Sequence, residues 1–164
     1  TKMKSNKEKI ETDTMEEKSV LAKLLSHNGN QDRRTPFAIF KELDGEFHFQ
    51  LDPCTSTSKP NNLGTPNYFL YPEQDGLKEN WSRYGNAFVN PPFKYASVWA
   101  KKCMEESKKG ITVVLFLPSK TETAWWHDYA LKASEIRFVR RRVTFEGHDN
   151  PFIIGMAIII YKPL

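Results

Sequence analysis

Ala87-Phe88-Val89-Asn90-Pro91-Pro92-Phe93 is an apolar run stopped by an amide and two prolines. A proline pair lacks the backbone donors that a central strand needs, so the strand must end at Val89 and the chain must turn there. Beyond the turn, residues 97–109 carry Val98, Cys103 and Met104 among polar neighbours, the texture of a helix that Gly110 closes. Residues 111–117 are then unbroken in their apolarity, the pattern of a strand buried on both faces. Strand, helix and buried strand in this order predict an α/β sheet with right-handed crossovers.

Working outward, residues 123–131 predict a further helix, and 135–139, 143–145 and 153–161 predict strands. On the other side, Thr35-Pro36 predicts a helix start, with Thr35 as cap and Pro36 in the first turn. Phe37, Phe40 and Leu43 follow at helical spacing, and Gly45 is expected to end the run. Residues 47–51 alternate like a strand. Residues 53–66 are rich in Ser, Thr, Asn and Pro and read as a long loop, of the length that tends to carry function. Residues 1–30 are polar and of mixed charge; a helix over 9–25 would have only a thin apolar stripe of Leu21, Leu24 and Leu25. We expect a partly disordered appendage over 1–30 and one domain over 31–164.

Composition narrows the function. At 164 residues and 39 % hydrophobic, the chain has room for one core. The longest apolar run lies within 153–161, far short of the roughly 20 residues of a membrane-spanning helix. The first twenty residues are charged throughout, so no secretion signal is expected. Two cysteines without a C-x-x-C pair argue against a disulfide scaffold and a zinc ribbon, and for a reducing, cytoplasmic setting. His27, His48, His127 and His148 have no metal-ligand spacing, so no metal is expected. Trp81 and one of Trp125 and Trp126 are expected in the core.

The turn after Val89 carries the chemistry. It sits at the carboxyl end of a strand, where open α/β sheets bind their ligands. The Asn90 amide offers a carbonyl acceptor, the prolines leave the Pro91 carbonyl free to accept, and Phe93 supplies a flat face. Two acceptors beside a ring fit a planar amine such as that of adenine. Accepting both amine protons would aim the nitrogen lone pair at an electrophile, with no general base required.

Asn90-Pro91-Pro92-Phe93 resembles the Asp/Asn-Pro-Pro-aromatic signature of amino-methyltransferases that use S-adenosylmethionine. The order of further short matches narrows the resemblance. They are Thr35-Pro36, Phe49-Gln50-Leu51-Asp52, Asp75-Gly76-Leu77 with Trp81, Leu117-Pro118 with Thr121-Glu122-Thr123, and Trp125-Trp126-His127. Glu135-Ile136-Arg137-Phe138 and Arg142-Val143-Thr144-Phe145 complete the set. Over residues 32–161 the chain is similar to the short bacteriophage-type DNA adenine-N6 methyltransferases (phage Dam-like). The resemblance implies a Rossmann-like class I methyltransferase sheet flanked by helices, and the short stretch over residues 51–87, with little room for two strand–helix units, predicts that this sheet is reduced. It implies S-adenosylmethionine as cofactor, DNA as partner, and action in the cytoplasm of a prokaryotic or phage-infected cell. Asn90, Pro91, Pro92 and Phe93 would hold the target amine and stack on the flipped base. Thr35, Pro36, Asp52, Pro53, Asp75 and Asn90 would form the cofactor site. The turn after Asp52 departs from the class pattern, because Pro53-Cys54-Thr55-Ser56 holds no glycine.

Charge is unevenly spread. The net charge is +4, yet residues 94–142 hold eleven Lys and Arg against five Asp and Glu. Beside a base-binding turn, a basic stretch reads as a phosphate surface. Lys120, Arg140, Arg141 and Arg142 are the expected DNA contacts, and Phe145 is expected to line the base pocket. Two alternatives stand beside this reading. One is a methyltransferase of the same motif acting on RNA or a glutamine amide, and the other an inactive nucleic-acid-binding domain.

Overall fold

The computed structural model describes residues 33–164, so the appendage over 1–30 and its helix over 9–25 lie outside the described residues. Six strands form one sheet: β1 Leu51–Asp52, β2 Asn67–Tyr68, β3 Ala87–Val89, β4 Val113–Pro118, β5 Glu135–Phe138 and β6 Met156–Tyr161. Their order is β2-β1-β3-β4-β6-β5. β1 to β4 are parallel, with Leu51 opposite Ala87 and Ala87 opposite Val113. β6 is antiparallel to both its neighbours, so β5 runs in the direction of β4.

β4 is buried at every position, as its unbroken apolarity predicts. Alternation along β3 and β4 divides the core by face. Val89, Val113, Leu115 and Leu117 pack with Trp81, Trp99, Ala100 and Cys103 on one face. Phe88, Val114 and Phe116 pack with Phe40, Leu43, Phe47 and Phe49 on the other. Helix α1, Phe37–Phe47, therefore covers the second face, while α2, Ala96–Ser107, and α3, Ala124–Asp128, cover the first. Each large apolar side chain buried this way contributes about 1.5–3 kcal/mol.

Glu106 is a buried carboxylate of α2. It is 1 % exposed and is held by Lys102 at 2.6 Å and Lys109 at 2.8 Å. Burial alone would raise its pKa, but the two lysines outweigh it and hold the carboxyl below its ordinary value.

Several expectations are corrected. α1 does not stop at Gly45 but runs to Phe47, because the left-handed residue that ends it is His48 (φ 52°), whose N–H reaches the Asp44 carbonyl at 2.8 Å. Thr35 does not cap α1. The Glu146 carboxylate, 109 residues away, accepts the Phe37 N–H at 3.1 Å instead. The strand expected over 47–51 shrinks to Leu51–Asp52, since α1 takes Phe47. Residues 53–66 hold no helix or strand, as expected of a loop, and β2 follows directly after them and pairs with β1. The helix expected over 123–131 is α3 followed by one 3-10 turn, Ala130–Lys132. Helix and turn part at Tyr129, whose carbonyl accepts the Tyr161 hydroxyl at 2.7 Å. Residues 143–145 form no strand; Val143 and Phe145 are buried outside the sheet, because β6 already has a partner on each side. Trp81 is fully buried, and both Trp125 and Trp126 are buried as well.

The sheet is reduced between β1 and β3, where only β2 and two 3-10 turns, Gly76–Lys78 and Trp81–Arg83, intervene. Among the described residues, no helix is long and apolar enough to cross a membrane.

Candidate active site

Strand order reverses between β1 and β3, with β2 on one side and β4 on the other. In open α/β sheets ligands bind at such a switch point, outside the carboxyl ends of the strands. Asp52 ends β1 and Asn90 follows β3, so the two residues singled out by sequence flank that point. β4 and β5 end on the same edge, because Pro118 pairs with Met156 and Phe138 with Ala157. Lys120 and Arg140, Arg141 and Arg142 therefore emerge along the edge that carries Asn90.

The Asn90 amide is fixed by residues remote in sequence. Its Nδ2 donates to the Arg33 carbonyl at 2.6 Å and to Thr35 Oγ1 at 3.0 Å. A backbone carbonyl can only accept, so the group facing Arg33 must be the NH2. Asn90 Oδ1 then makes no hydrogen bond among the described residues and remains an acceptor. Thr35, 2 % exposed, is thus an orienting hydroxyl rather than a helix cap. Pro36 stands at the N-cap of α1, its carbonyl taking the N–H groups of Ile39 and Phe40. Pro91 is buried, and the Pro92 carbonyl accepts the Tyr95 N–H at 2.9 Å, which closes the turn.

Phe93 is half-buried. Its ring lies 5.3 Å from that of Phe152 and 5.9 Å from that of Phe145. Phe145 is 3 % exposed and also packs on Phe116, so it supports Phe93 from within rather than lining an open surface. The Arg33 guanidinium stands 5.1 Å over Phe93 and 4.9 Å over Phe152. Burial lowers the pKa of Arg33 from its ordinary value.

The loops after β1 form a second cluster. Asp52 is 3 % exposed and its Oδ1 accepts the Cys54 N–H at 3.1 Å. Burial pushes the Asp52 carboxyl up to about 7, although the Cys54 N–H and the Thr55 hydroxyl pull the other way. Pro53 is buried, and its carbonyl lies so close to Gly76 that a Cβ there would overlap it. That contact joins Asp52-Pro53-Cys54 to Asp75-Gly76. Asp75 Oδ1 accepts the Leu77 N–H at 3.0 Å and leaves its second oxygen unengaged among the described residues. Tyr71 belongs to the same cluster: burial, with Cys54 and Asp75 nearby, pushes its hydroxyl up to about 12.

The basic stretch is not uniform. Arg137 is held by Glu46 at 2.7 Å through two nitrogens and by Glu135 at 2.6 Å, which removes it from any phosphate surface. Lys102 and Lys109 are bound to Glu106. Lys120, Arg140, Arg141 and Arg142 are exposed and make no ion pair among the described residues. His127 Nε2 bonds the Thr121 carbonyl at 2.8 Å, a local tether. No group of three metal ligands occurs among the described residues.

Arg33, Phe152 and Tyr71 join the candidate site without having been singled out in the sequence, and Gly76 joins it through its close approach to Pro53. Only Gly76 left a signal, as the glycine of an Asp-Gly turn.

A family model described as DNA N-6-adenine-methyltransferase (Dam) matches residues 23–155. A DNA N-6-adenine-methyltransferase of Escherichia phage T1 is 24 % identical over 119 residues, 72 % of this chain and 48 % of the phage protein. The chain thus spans about half the length of that curated relative. No solved structure matches it.

Proposed function

The chain belongs to the DNA N-6-adenine-methyltransferase (Dam) family, and on that premise we propose that it methylates the N6 amine of adenine in DNA with S-adenosylmethionine as donor. The observation that carries the reading is the Asn90 amide. Arg33 and Thr35 hold its nitrogen, so the end left for a substrate is an acceptor. Asn90 Oδ1 and the Pro91 carbonyl would each take one amine proton. The nitrogen lone pair is then freed from the ring and presented for direct, in-line transfer. Because the proton leaves only after methylation, Asn90 need not act as a base.

The target adenine would be turned out of the duplex, since its amine is otherwise paired, and would stack on Phe93. Lys120, Arg140, Arg141 and Arg142 would bind phosphates beside the site, which fits their place on the same sheet edge. Around β1, the residues fit the donor. Asp75 offers a carboxylate oxygen to hydroxyl or ammonium groups, and Gly76 lets two loops close together. Tyr71 adds a flat ring, while Asp52 and Pro53 shape the loop and Pro36 anchors the 33–36 segment. S-adenosylmethionine held there would supply an electrophilic methyl group. The proposed setting is the cytoplasm of a bacterial or phage-infected cell.

The test is to express the chain in bacteria that lack adenine methylation, digest their DNA to nucleosides and measure N6-methyladenine by mass spectrometry. Wild type should produce it. Asn90→Ala should reduce it by at least about 100-fold, as loss of one hydrogen bond to a reacting group does elsewhere, while the protein still unfolds cooperatively at a modestly lower temperature. Folded wild-type protein that leaves DNA unmethylated, or new methylation found only in RNA or protein, would overturn the reading.

A further inference from the structure

We infer that Phe93 and Phe152 together form the seat of the extruded adenine, and that the Arg33 guanidinium fills this seat until the base displaces it. The inference rests on the adenine reading above and deepens it. Three distances define the seat: ring to ring 5.3 Å, guanidinium to Phe93 5.1 Å and guanidinium to Phe152 4.9 Å. One planar cation therefore lies against both rings at stacking distance.

The same residue reaches Asn90. The Arg33 carbonyl accepts from Asn90 Nδ2 at 2.6 Å, so the backbone of Arg33 is fixed beside the amide that would hold the amine. A base with its amine at Asn90 and its ring on Phe93 must take the volume that the Arg33 side chain now occupies. Phe145 packs on both rings from inside and is itself buried, which leaves the Arg33 side as the open approach. A guanidinium suits this service: it is flat like a base, and its charge keeps it soluble once displaced. Filling the seat also spares two aromatic faces from water while no base is bound.

Substituting Arg33 dissects the two roles, because any residue at 33 retains the carbonyl that orients Asn90. The probe is 2′-deoxyadenosine, which has no phosphate and so reports on the seat and not on charge attraction. Its binding to the full chain is followed by saturation-transfer NMR. Arg33→Ala should bind it about fivefold more tightly than wild type, the loss of a competing cation–π contact. Arg33→Met, which keeps the bulk of the side chain over the rings, should tighten it less than Arg33→Ala does, and Phe152→Leu should weaken it. Binding by Arg33→Ala that is equal to or weaker than wild type, or Phe152→Leu binding like wild type, overturns the proposal. The methyladenine assay fails or succeeds separately: DNA methylation by wild type with no change in the Arg33→Ala titration sinks the seat alone.

Discussion

The turns that leave β3 and β1 use their polar side chains in opposite ways. After β3, Asn90 is held by partners from another part of the chain, so one end of its amide stays available. After β1, Asp52 turns its carboxyl into its own loop, where Cys54 N–H and Thr55 engage it. The first arrangement leaves an acceptor unengaged; the second closes on its own loop. Both residues sit at strand ends beside the same switch point, so position alone does not separate a ligand contact from a loop former. The partners do.

The largest expected effect breaks this contrast at Asp52. Burial raises its pKa from 3.8 to about 7, so the folded protein binds this proton more tightly than the unfolded chain does. Its contribution to stability is complete below the ordinary carboxyl range and is lost as pH rises through about 7. Between pH 5 and 8 the loss is on the order of 3 kcal/mol. Asp52→Asn cannot titrate yet keeps an oxygen for the Cys54 N–H. Denaturant unfolding across this range should therefore show a flatter pH dependence in the variant than in wild type. Identical slopes would mean that Asp52 is ionised in the fold and free to meet a ligand. Glu106 sharpens the point, because it is equally buried but two lysines hold it charged.

Gly76 comes next. A Cβ there meets the Pro53 carbonyl, which is backbone and cannot swing aside. Gly76→Ala should force the two loops apart at about 2 kcal/mol, the usual scale of overpacking. The expected readout is weaker S-adenosylmethionine binding by calorimetry, with the Asn90 side of the site intact. Unchanged affinity would detach the loop pair from the cofactor.

What was legible in the sequence was local. The proline pair after Val89 ends a strand whatever surrounds it, and β4 is apolar throughout because the core lies on both its faces. The illegible features are settled by contacts between distant residues. β2 has two residues and exists because β1 pairs with them. Asn90 lies 55 residues from Thr35, and Glu146 lies 109 from the helix start it serves. Arg137 and Arg140 belong to one basic run, yet only the first points to Glu46 and Glu135. A threonine before a proline can serve either as a cap or as an orienting hydroxyl, so residue type could not choose between them.

Thr35→Val gives the smallest effect and the finest discrimination. It removes the hydroxyl at nearly constant volume, while the Arg33 carbonyl still holds Asn90 Nδ2. One neutral hydrogen bond is worth about 1 kcal/mol, so kcat should fall about fivefold. Since the variant leaves the loops after β1 untouched, KM for S-adenosylmethionine should not move. Thr35→Ser restores the oxygen and should restore the rate, which a packing defect at this buried position would not allow. A rise in cofactor KM with kcat preserved would place Thr35 on the cofactor side. The division between a turn that presents its amide and a turn that buries its carboxyl would then have to be redrawn.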